Sequence, residues 1–283
     1  MNKKTGTLYI CSTPIGNLED ITIRAIKVLR KCDLIAAEDT RRTKKLLNYF
    51  DIDTPLTSYY SYNEHKKGRG LIKKLGEGLD IALVSDAGTP GICDPGAKLI
   101  KAAIQYGIDI VPLPGASAVI TALSVSGMPT NKFIFEGFLA SIKQKRRRRL
   151  QELADEERAV VFYESPHRLL DVLLDMYDIL GDRNIAVIRE LTKIHEEVKR
   201  DVLSEVIEHF KRERPKGEFT LVLAGAKEKK ETLDTTVNDE EIIVKAEELV
   251  SKGMSVKDAV KQIASSLGIS KRKVYNIVNK AGE

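Results

Sequence analysis

One loop, residues 85–96, holds the residues best suited to bind a small molecule. It reads Ser-Asp-Ala-Gly-Thr-Pro-Gly-Ile-Cys-Asp-Pro-Gly and follows a short apolar run that is typical of a buried strand. Three glycines, two prolines and two aspartates lie in these 12 residues, whereas a turn on the protein surface rarely needs so many. A rigid loop that brings main chain against a ligand does need them. We therefore predict that this loop binds a small molecule.

Two further loops follow strand-like runs and precede helical patterns. In residues 12–17, Pro14 fixes φ and Gly16 permits a close approach of the backbone. In residues 112–118, Gly115 allows a tight turn and Ala116 and Ser117 keep the following helix start small. Packing of helix against sheet would require small residues equally, and this alternative stays open. Neither loop has the glycine spacing of a dinucleotide-binding or P-loop motif.

The segment from Glu38 to Arg42 carries the most attractive candidates for a proton acceptor. Glu38 and Asp39 stand beside Arg41 and Arg42, and guanidinium groups can bind phosphates through paired hydrogen bonds. Alternatively, Asp39 or Thr40 caps the next helix and the arginines are solvated. Four residues elsewhere are further candidate bases: Glu164, Glu190, Lys193 and His65.

Cysteine and histidine usage gives no sign of a metal site. Cys11, Cys32 and Cys93 are odd in number and widely spaced, which supports neither a disulfide framework nor a structural zinc site. We expect His167 and His195 to have packing or surface roles. A reducing cytoplasm is the expected location.

Positive charge is concentrated in runs, although the net charge is only +5. Positive charges clustered in several runs favour phosphate contacts more than scattered charges would. For any single run, a solvated helix face remains the alternative. We predict phosphate contacts from nine residues: Arg41, Arg42, Arg146, Arg147, Arg148, Arg149, Lys271, Arg272 and Lys273.

Short apolar runs alternate with amphipathic helical stretches along most of the chain. This alternation predicts a mostly parallel sheet covered on both faces, with ligands beyond the carboxyl ends of the strands. The predicted strands are Leu8–Ser12, Leu34–Ala37, Ile81–Ser85, Ile108–Pro112, Ala159–Tyr163, Ile185–Arg189 and Phe219–Ala224. The predicted helices include Ile21–Lys31, Thr43–Phe50, Leu71–Gly76, Ala97–Tyr106, Leu169–Leu180 and Leu203–Arg212.

We predict two α/β domains followed by a linker and a helical domain. The domains span residues 1–115 and 116–226, with a linking segment near 128–142 in which 133–139 is extended. Residues 227–237 are polar and suit a linker. In residues 238–283, a helix, a glycine-containing turn and a basic helix resemble a helix-turn-helix, with a helical cap or dimer element as the alternative. No apolar run approaches the roughly 20 residues that span a bilayer.

Seven motifs in order resemble one family, the ribosomal RNA small-subunit methyltransferase I family of the tetrapyrrole-methylase-like superfamily. The resemblance covers about residues 7–226, and Cys93 stands where the family pattern has serine. The matching segments begin at Thr13 (TPIGNL), Ala37 (AEDTRR), Ser85 (SDAGTPGICDPG), Pro114 (PGASA), Tyr163 (YESPHR), Arg189 (RELTK) and Lys216 (KGEFTLV).

The resemblance implies a homodimer of two-domain α/β subunits, with S-adenosylmethionine in the cleft between domains. It implies methylation of the 2′-hydroxyl of a cytidine in the decoding region of small-subunit (16S) ribosomal RNA. We expect the substrate to be this RNA within the assembled subunit. By motif, the cofactor would contact Pro14, Gly16, Asp86, Ala87, Gly88, Thr89, Ala116, Ser117, Tyr163, Leu191, Gly217, Glu218 and Phe219.

Two rival functions remain open at this point. A methyltransferase of the same fold could act on a tetrapyrrole or another small molecule, but it would not need the arginine run or the basic tail. A non-catalytic nucleic-acid-binding protein would use the helical tail, but it would leave the loop at residues 85–96 unexplained.

Overall fold

The computed structural model describes residues 5–226, 239–267 and 271–280. The chain divides into two compact units, one ending at Gly225 and one beginning at Ala226. The first unit contains two five-stranded sheets, and the second contains helices.

The first sheet is entirely parallel and has the strand order β3-β2-β4-β1-β5. Its carboxyl ends therefore meet at one edge, where the three glycine-containing loops begin. The strands are β1 (Thr7–Cys11), β2 (Leu34–Ala37), β3 (Leu56–Ser58), β4 (Ile81–Val84) and β5 (Asp109–Leu113), and the helices are α1 (Ile23–Lys31), α2 (Thr40–Tyr49), α3 (Glu64–Gly76) and α4 (Ala97–Gln105).

Helices cover both faces of this sheet, as the apolar runs predict. Leu29 of α1 and Leu47 of α2 pack on one face, and Leu75 of α3 and Leu99 of α4 pack on the other. All residues of β4 are buried, because a central parallel strand is covered on both sides.

The second sheet is mixed, with the order β6-β7-β10-β8-β9. Only β6 and β7 are parallel, and the remaining neighbours are antiparallel. Its elements are α5 (Ala118–Ser126), β6 (Phe133–Phe138), α6 (Lys143–Glu152), β7 (Ala159–Glu164), α7 (Leu169–Leu180), β8 (Asn184–Arg189), β9 (Glu197–Val202), α8 (Leu203–Arg212) and β10 (Phe219–Leu223).

The two faces of this sheet are covered unequally. Helices α6, α7 and α8 bury one face through residues such as Leu150, Leu173 and Val206. Helix α5 covers the other face and packs Val119 and Leu123 against the sheet. The second face is therefore partly left to residues of the first sheet's loops, such as Ile15.

The α/β class with two sheets is confirmed, and several element bounds need correction. Residues 133–139, predicted as an extended connection, largely form strand β6, which has one neighbour and bends at Gly137. Strands β3 and β9 were not predicted; β3 has three residues and β9 is polar. Helix α3 begins at Glu64, well before the predicted Leu71. The prediction missed its first turns because they carry charged rather than apolar residues.

The described part of the second unit forms three packed helices, α9 (Asp239–Ser251), α10 (Val256–Leu267) and α11 (Lys271–Lys280). Their common core includes Ile242, Ile263 and Val274. The predicted linker 227–237 and the turn at 268–270 lie outside the described residues. Within the described ranges, no helix is long and apolar enough to cross a bilayer.

Candidate functional site

A cavity of about 490 Å³ lies where the carboxyl edge of the first sheet faces the second sheet. The first sheet contributes Glu38 and Arg42 after β2 and most of the loop after β4. The second sheet contributes the ends of β6, β7 and β8 and the start of β10. The lining residues are Ile15, Glu38, Arg42, Asp86, Ala87, Gly88, Thr89, Ile92, Cys93, Asp94, Ser117, Ala118, Phe138, Tyr163, Glu164, Ser165, Pro166, Ile188, Leu191, Glu218, Phe219 and Thr220.

The loop at residues 85–96 brings main chain to this cavity, as predicted from its composition. Gly88 has φ +76°, a conformation that glycine adopts without steric cost. Its N–H donates to the carbonyl of Thr13 at 3.0 Å, and the Thr13 N–H donates to the carbonyl of Gly88 at 2.9 Å. The hydroxyls of Ser12 and Thr89 lie 2.8 Å apart. These bonds join the loops after β1 and β4 into one rigid wall.

The loop after β5 completes this wall through Ser117, which also caps α5 by accepting a hydrogen bond from Ile120 N–H. A Cβ atom on Gly115 would lie 2.8 Å from Cβ of Ser12. The small residue there permits packing between the loops after β1 and β5, whereas the alternative left open by the sequence was packing of helix against sheet. Ala116, predicted to border the cofactor, does not line the cavity.

The loop after β1 contacts the second sheet directly. A Cβ atom on Gly16 would lie 2.6 Å from the carbonyl oxygen of Leu191 and from Oγ1 of Thr192. The N–H of Asn17 donates to that Oγ1 at 3.0 Å. Gly16 therefore permits contact between the two halves of the site rather than contact with the cavity. Pro14 lines a separate cavity of about 130 Å³ beside Asp86.

Three carboxylates, Glu38, Asp86 and Asp94, line the cavity together. Asp86 accepts from Asp39 N–H at 2.9 Å and lies 3.4 Å from Arg42. Burial raises the pKa of Glu38 above its usual range, with the charge on Asp86 adding to the effect. Burial, and then the charge on Glu38, raises the pKa of Asp94 to about 6. Carboxyl groups with raised pKa values can exchange a proton near neutral pH.

Asp39 has a different role from the proton acceptor predicted for it. Its Oδ1 accepts from Arg41 N–H at 2.8 Å at the start of α2, and its carboxylate is bidentate with the Arg41 guanidinium. The hydrogen bonds from Arg41 lower the pKa of Asp39 to about 2. Asp39 does not line the cavity, so its position fits the helix cap. Of the predicted pair, Glu38 alone faces the cavity.

The other candidate bases lie in three different places. Glu164 lines the cavity with its side chain 1% exposed; its Oε1 accepts from Ser165 N–H at 2.7 Å, and burial raises its pKa. Glu190 accepts from Lys193 at 2.8 Å and lies outside the cavity, where it packs against Gly217. His65 lines a separate groove.

Apolar and aromatic side chains from the second sheet form the opposite wall. The ring of Tyr163 contacts those of Phe135 and Phe138, with centroids 5.0 and 5.5 Å apart. Burial raises the pKa of Tyr163 to about 12, so its hydroxyl stays protonated. The sequence motifs identified Tyr163, Leu191, Glu218 and Phe219 but missed Phe138 and Asp94. Asp94 could have been found because it belongs to the unusual loop.

The arginine run on α6 is mostly engaged within the protein. Arg146 is 5% exposed, and its guanidinium donates to Asp175 at 2.6 and 2.8 Å. Arg147 pairs with Asp175 and Asp178, and Arg149 pairs with Glu136 and Glu152. A buried, paired guanidinium cannot reach a phosphate, so the predicted RNA contact of Arg146 is wrong. Arg148 is 84% exposed and lies 3.5 Å from Glu152.

The remaining predicted residues lie at the surface or outside the described part. Arg41 and Arg42 have exposed guanidiniums, and Lys271 is exposed at the start of α11. The side chains of Arg272 and Lys273 lie outside the described residues. His167 and His195 are exposed. Within the described ranges, no cluster of three or more His, Cys, Asp or Glu residues could hold a metal ion.

The fold and the cavity define the class of protein. Residues 7–207 match the family of tetrapyrrole (corrin/porphyrin) methylases. The structure resembles cobalt precorrin-4 methyltransferase, with a TM-score of 0.58 and 18% identity over 77% of this chain and 94% of that chain. It also resembles diphthine synthase, with a TM-score of 0.59 and 14% identity over 77% and 90%. Both likenesses show the fold alone.

Much closer relatives identify the branch of this class. Proteins named ribosomal RNA small subunit methyltransferase I are 50% identical in Halalkalibacterium halodurans, over 96% of this chain and 94% of that protein. In Thermotoga maritima the identity is 51% over 78% and 99%, and in Bacillus subtilis it is 45% over 96% and 93%. The chain belongs to the ribosomal RNA small subunit methyltransferase I family of tetrapyrrole methylases.

Proposed function

We propose that this protein transfers a methyl group from S-adenosylmethionine to the 2′-hydroxyl of a cytidine in the decoding region of 16S ribosomal RNA. The observation that carries the proposal is the cavity at the carboxyl edge of the first sheet, which combines main chain, carboxylates and an aromatic wall. It occurs in a chain that is 50% identical to a protein named as a ribosomal RNA methyltransferase.

The chemistry of the cavity fits S-adenosylmethionine. Its volume of about 490 Å³ lies in the range of roughly 300–1,000 Å³ that is typical of sites for ligands of this size. Glu38, Asp86 and Asp94 face it together with one arginine, Arg42. A negative lining favours a ligand that carries a sulfonium and an ammonium group, and it disfavours one that carries phosphates.

Most of the cofactor-binding residues predicted from the sequence line this cavity, and they are the ones that would hold the ligand. When bound, S-adenosylmethionine supplies a methyl group activated by the sulfonium. The protein contributes alignment of the donor with the acceptor, which can account for much of a rate enhancement. Ile188, Leu191 and Phe138 exclude water from the wall opposite the carboxylates. The proposed set is Asp86, Ala87, Gly88, Thr89, Ser117, Tyr163, Leu191, Glu218 and Phe219.

Glu38 is the proposed acceptor of the hydroxyl proton, with Asp94 as its neighbour. Glu38 Oε2 accepts one long hydrogen bond, 3.4 Å from Asp86 N–H, so the carboxylate keeps capacity for a further donor. Its raised pKa brings it closer to the working pH, where a general base is most effective. The proton of the 2′-hydroxyl would pass to a Glu38 oxygen during or after methyl transfer.

The RNA would be bound by exposed cations at the edge of the cavity and beyond it. Arg41, Arg42, Arg148 and the start of α11 at Lys271 have the exposure that phosphate contacts need. A target hydroxyl in folded RNA must be exposed or its nucleotide turned out. We further propose that the substrate is the small-subunit RNA within the assembled subunit, in the cytoplasm, and that the protein acts as a homodimer.

The two rival functions are less well supported. The non-catalytic alternative explains neither the cavity nor the membership of a methyltransferase family. The alternative of a small-molecule substrate draws on neighbours such as cobalt precorrin-4 methyltransferase, which are only 18% identical. The relatives named for ribosomal RNA are about 45–51% identical.

The test is methyl transfer from labelled S-adenosylmethionine to small ribosomal subunits purified from cells that lack the protein. Mapping of the label should give a single 2′-O-methylated cytidine in the decoding region. Glu38→Gln should bind S-adenosylhomocysteine normally and transfer slowly. Label on a base carbon or nitrogen, or no transfer to subunits or naked RNA despite cofactor binding, would overturn the proposed substrate.

A further inference from the structure

We propose that the groove between α3 and α4 binds the RNA strand that flanks the target nucleotide, with Arg69 and Lys101 holding phosphates and Tyr106 stacking on a base. This inference rests on the proposed function, since it assigns the substrate of that reaction a second contact surface. The groove has a volume of about 500 Å³ and is separate from the cavity that would bind the cofactor.

The groove carries a net positive charge. Arg69, Lys73, Lys98 and Lys101 line it together with His65, and of these Lys73 lies 3.8 Å from Glu77. Its one acidic lining residue, Glu64, is buried and already accepts from Gly96 N–H at 3.2 Å and from Lys98 at 2.8 Å. Among the described residues, no acidic side chain forms an ion pair with Arg69 or Lys101. A concave surface with unpaired cations fits a polyanion.

Glycine in α3 gives an independent reason to expect a ligand here. Gly68 lines the groove in the middle of the helix, where glycine destabilises the helix relative to alanine. A Cβ atom at Gly68 would meet only the ring of Tyr59, at 3.9 Å, among the described residues. Packing within the protein therefore does not require glycine. The absent side chain instead leaves the helix backbone at Gly68 accessible from the groove, where a strand can approach it closely.

An aromatic side chain is available at the end of the groove. Tyr106 follows α4 and is 70% exposed. Proteins commonly stack unpaired RNA bases on exposed aromatic rings. Cations along the wall and one ring at the end are the two elements of a single-strand binding surface.

The groove and the cavity share one loop. Glu64 holds the main chain at Gly96, the last residue of the loop at 85–96, while Asp86 and Asp94 of the same loop line the cavity. Both sites therefore lie along that loop. The proposed path of the RNA strand leaves the cavity across this loop and continues into the groove.

The test compares charge removal in the groove with matched charge removal elsewhere. Arg69→Ala/Lys101→Ala is the groove variant. Lys27→Ala/Lys31→Ala is the control, because α1 lies on the opposite face of the sheet. Binding of the full-length protein to unmethylated small subunits, measured over a salt series, should weaken at least tenfold for the groove variant. Its log–log salt slope should fall by about 0.7 for each lost contact to single-stranded phosphate. S-adenosylhomocysteine binding should not change.

Gly68→Ala separates a ligand role from a structural one. Alanine should keep or raise the melting temperature while weakening subunit binding, an outcome that a purely structural glycine would not give. Equal binding by groove and control variants would overturn the proposal. If the groove variant changed the oligomeric mass of the protein but not its RNA binding, the groove would be an interface between two copies of this chain instead. Binding to small ribosomal subunits is measured without methyl transfer. A wild-type protein that binds the ribosomal subunits but does not methylate them would refute the proposed reaction, and the role of the groove could still be tested.

Discussion

Arg146 and Asp175 form an ion pair beneath the second sheet, with Nε of Arg146 2.8 Å from Oδ2 of Asp175. Their side chains are only 6% and 4% exposed. Arg147 completes the arrangement by donating to the other oxygen of Asp175 at 2.6 Å. A buried carboxylate between two guanidiniums holds α6 against α7, so this part of the basic run stabilises the fold.

Removal of one partner from this buried group should destabilise the protein strongly. Asp175→Ala leaves Arg146 buried without a counter-charge, which typically costs about 3–5 kcal/mol in the free energy of unfolding. The matched control is Asp178→Ala, which removes a 56% exposed partner of Arg147 and should cost about 0–1 kcal/mol. Urea denaturation measures both. Equal losses would mean that the buried pair is not a major source of stability.

Substitutions at the adjacent residues Glu38 and Asp39 should affect different properties, catalysis in one case and stability in the other. Glu38→Gln should lower kcat by about 10²–10⁴-fold, the usual contribution of a general base, with little change in melting temperature. Asp39→Ala should lower the melting temperature, because it removes the cap of α2, and should leave kcat much closer to the wild-type value. Single-turnover methyl transfer and thermal melting distinguish them, and the reverse pattern would assign the proton to Asp39.

The reaction should have an acid limb near pH 6 that depends on Asp94. Its pKa in the folded protein is raised to about 6 from 3.8, so the folded state holds this proton more tightly than the unfolded chain does. Stability from this group is therefore present below about pH 4 and is lost as the pH rises through 6. Activity that needs the carboxylate runs the other way and rises through the same interval.

Asp94→Asn is the variant that tests this pH dependence. It should remove both the loss of stability between pH 4 and 6 and the acid limb of kcat/KM contributed by this residue. The measurements are a pH series of thermal melts and of kcat/KM with saturating S-adenosylmethionine. An acid limb that persists unchanged in Asp94→Asn would remove Asp94 from the set of titrating groups.

Gly16→Ala should disturb the proposed cofactor site although Gly16 does not line the cavity. The added Cβ would lie 2.6 Å from the carbonyl of Leu191, and overpacking of this kind typically costs about 1–3 kcal/mol. Because Leu191 lines the cavity, binding of S-adenosylhomocysteine measured by calorimetry should weaken as well. Gly76→Ala, where a Cβ would meet no described atom within 4 Å, should change neither property.

Elements with a clear apolar period could be predicted closely from the sequence. The bounds of α7 and α8 agree with the structure because their buried faces repeat at the helical period. Those of β2 agree because it is a short, continuous apolar run. Strand β9 could not be found this way, since Glu197–Val202 lies at the sheet edge and has no buried residue. Its place is determined by pairing with β8, which local sequence does not encode.

The site could be predicted at the level of loops but not of single side chains. The composition of residues 85–96 identified the loop, because strained main chain needs glycine and proline. Which of its carboxylates face the cavity depends on how the second sheet covers the loop. The predicted RNA contact of Arg146 was wrong for the same reason. Arg146 and Arg148 are identical in type, and only the tertiary position of Asp175 makes one buried and leaves the other exposed.

The contact of Gly16 with the segment after Leu191 has a consequence for ligand exchange. At this point the walls from the two sheets already touch, with room for only a hydrogen atom on Gly16 and with Asn17 bonded to Thr192. The walls cannot approach further there or separate without breaking that bond. We expect movement that widens the cavity to turn about this contact, so that a bound ligand would leave by the rim farthest from Gly16.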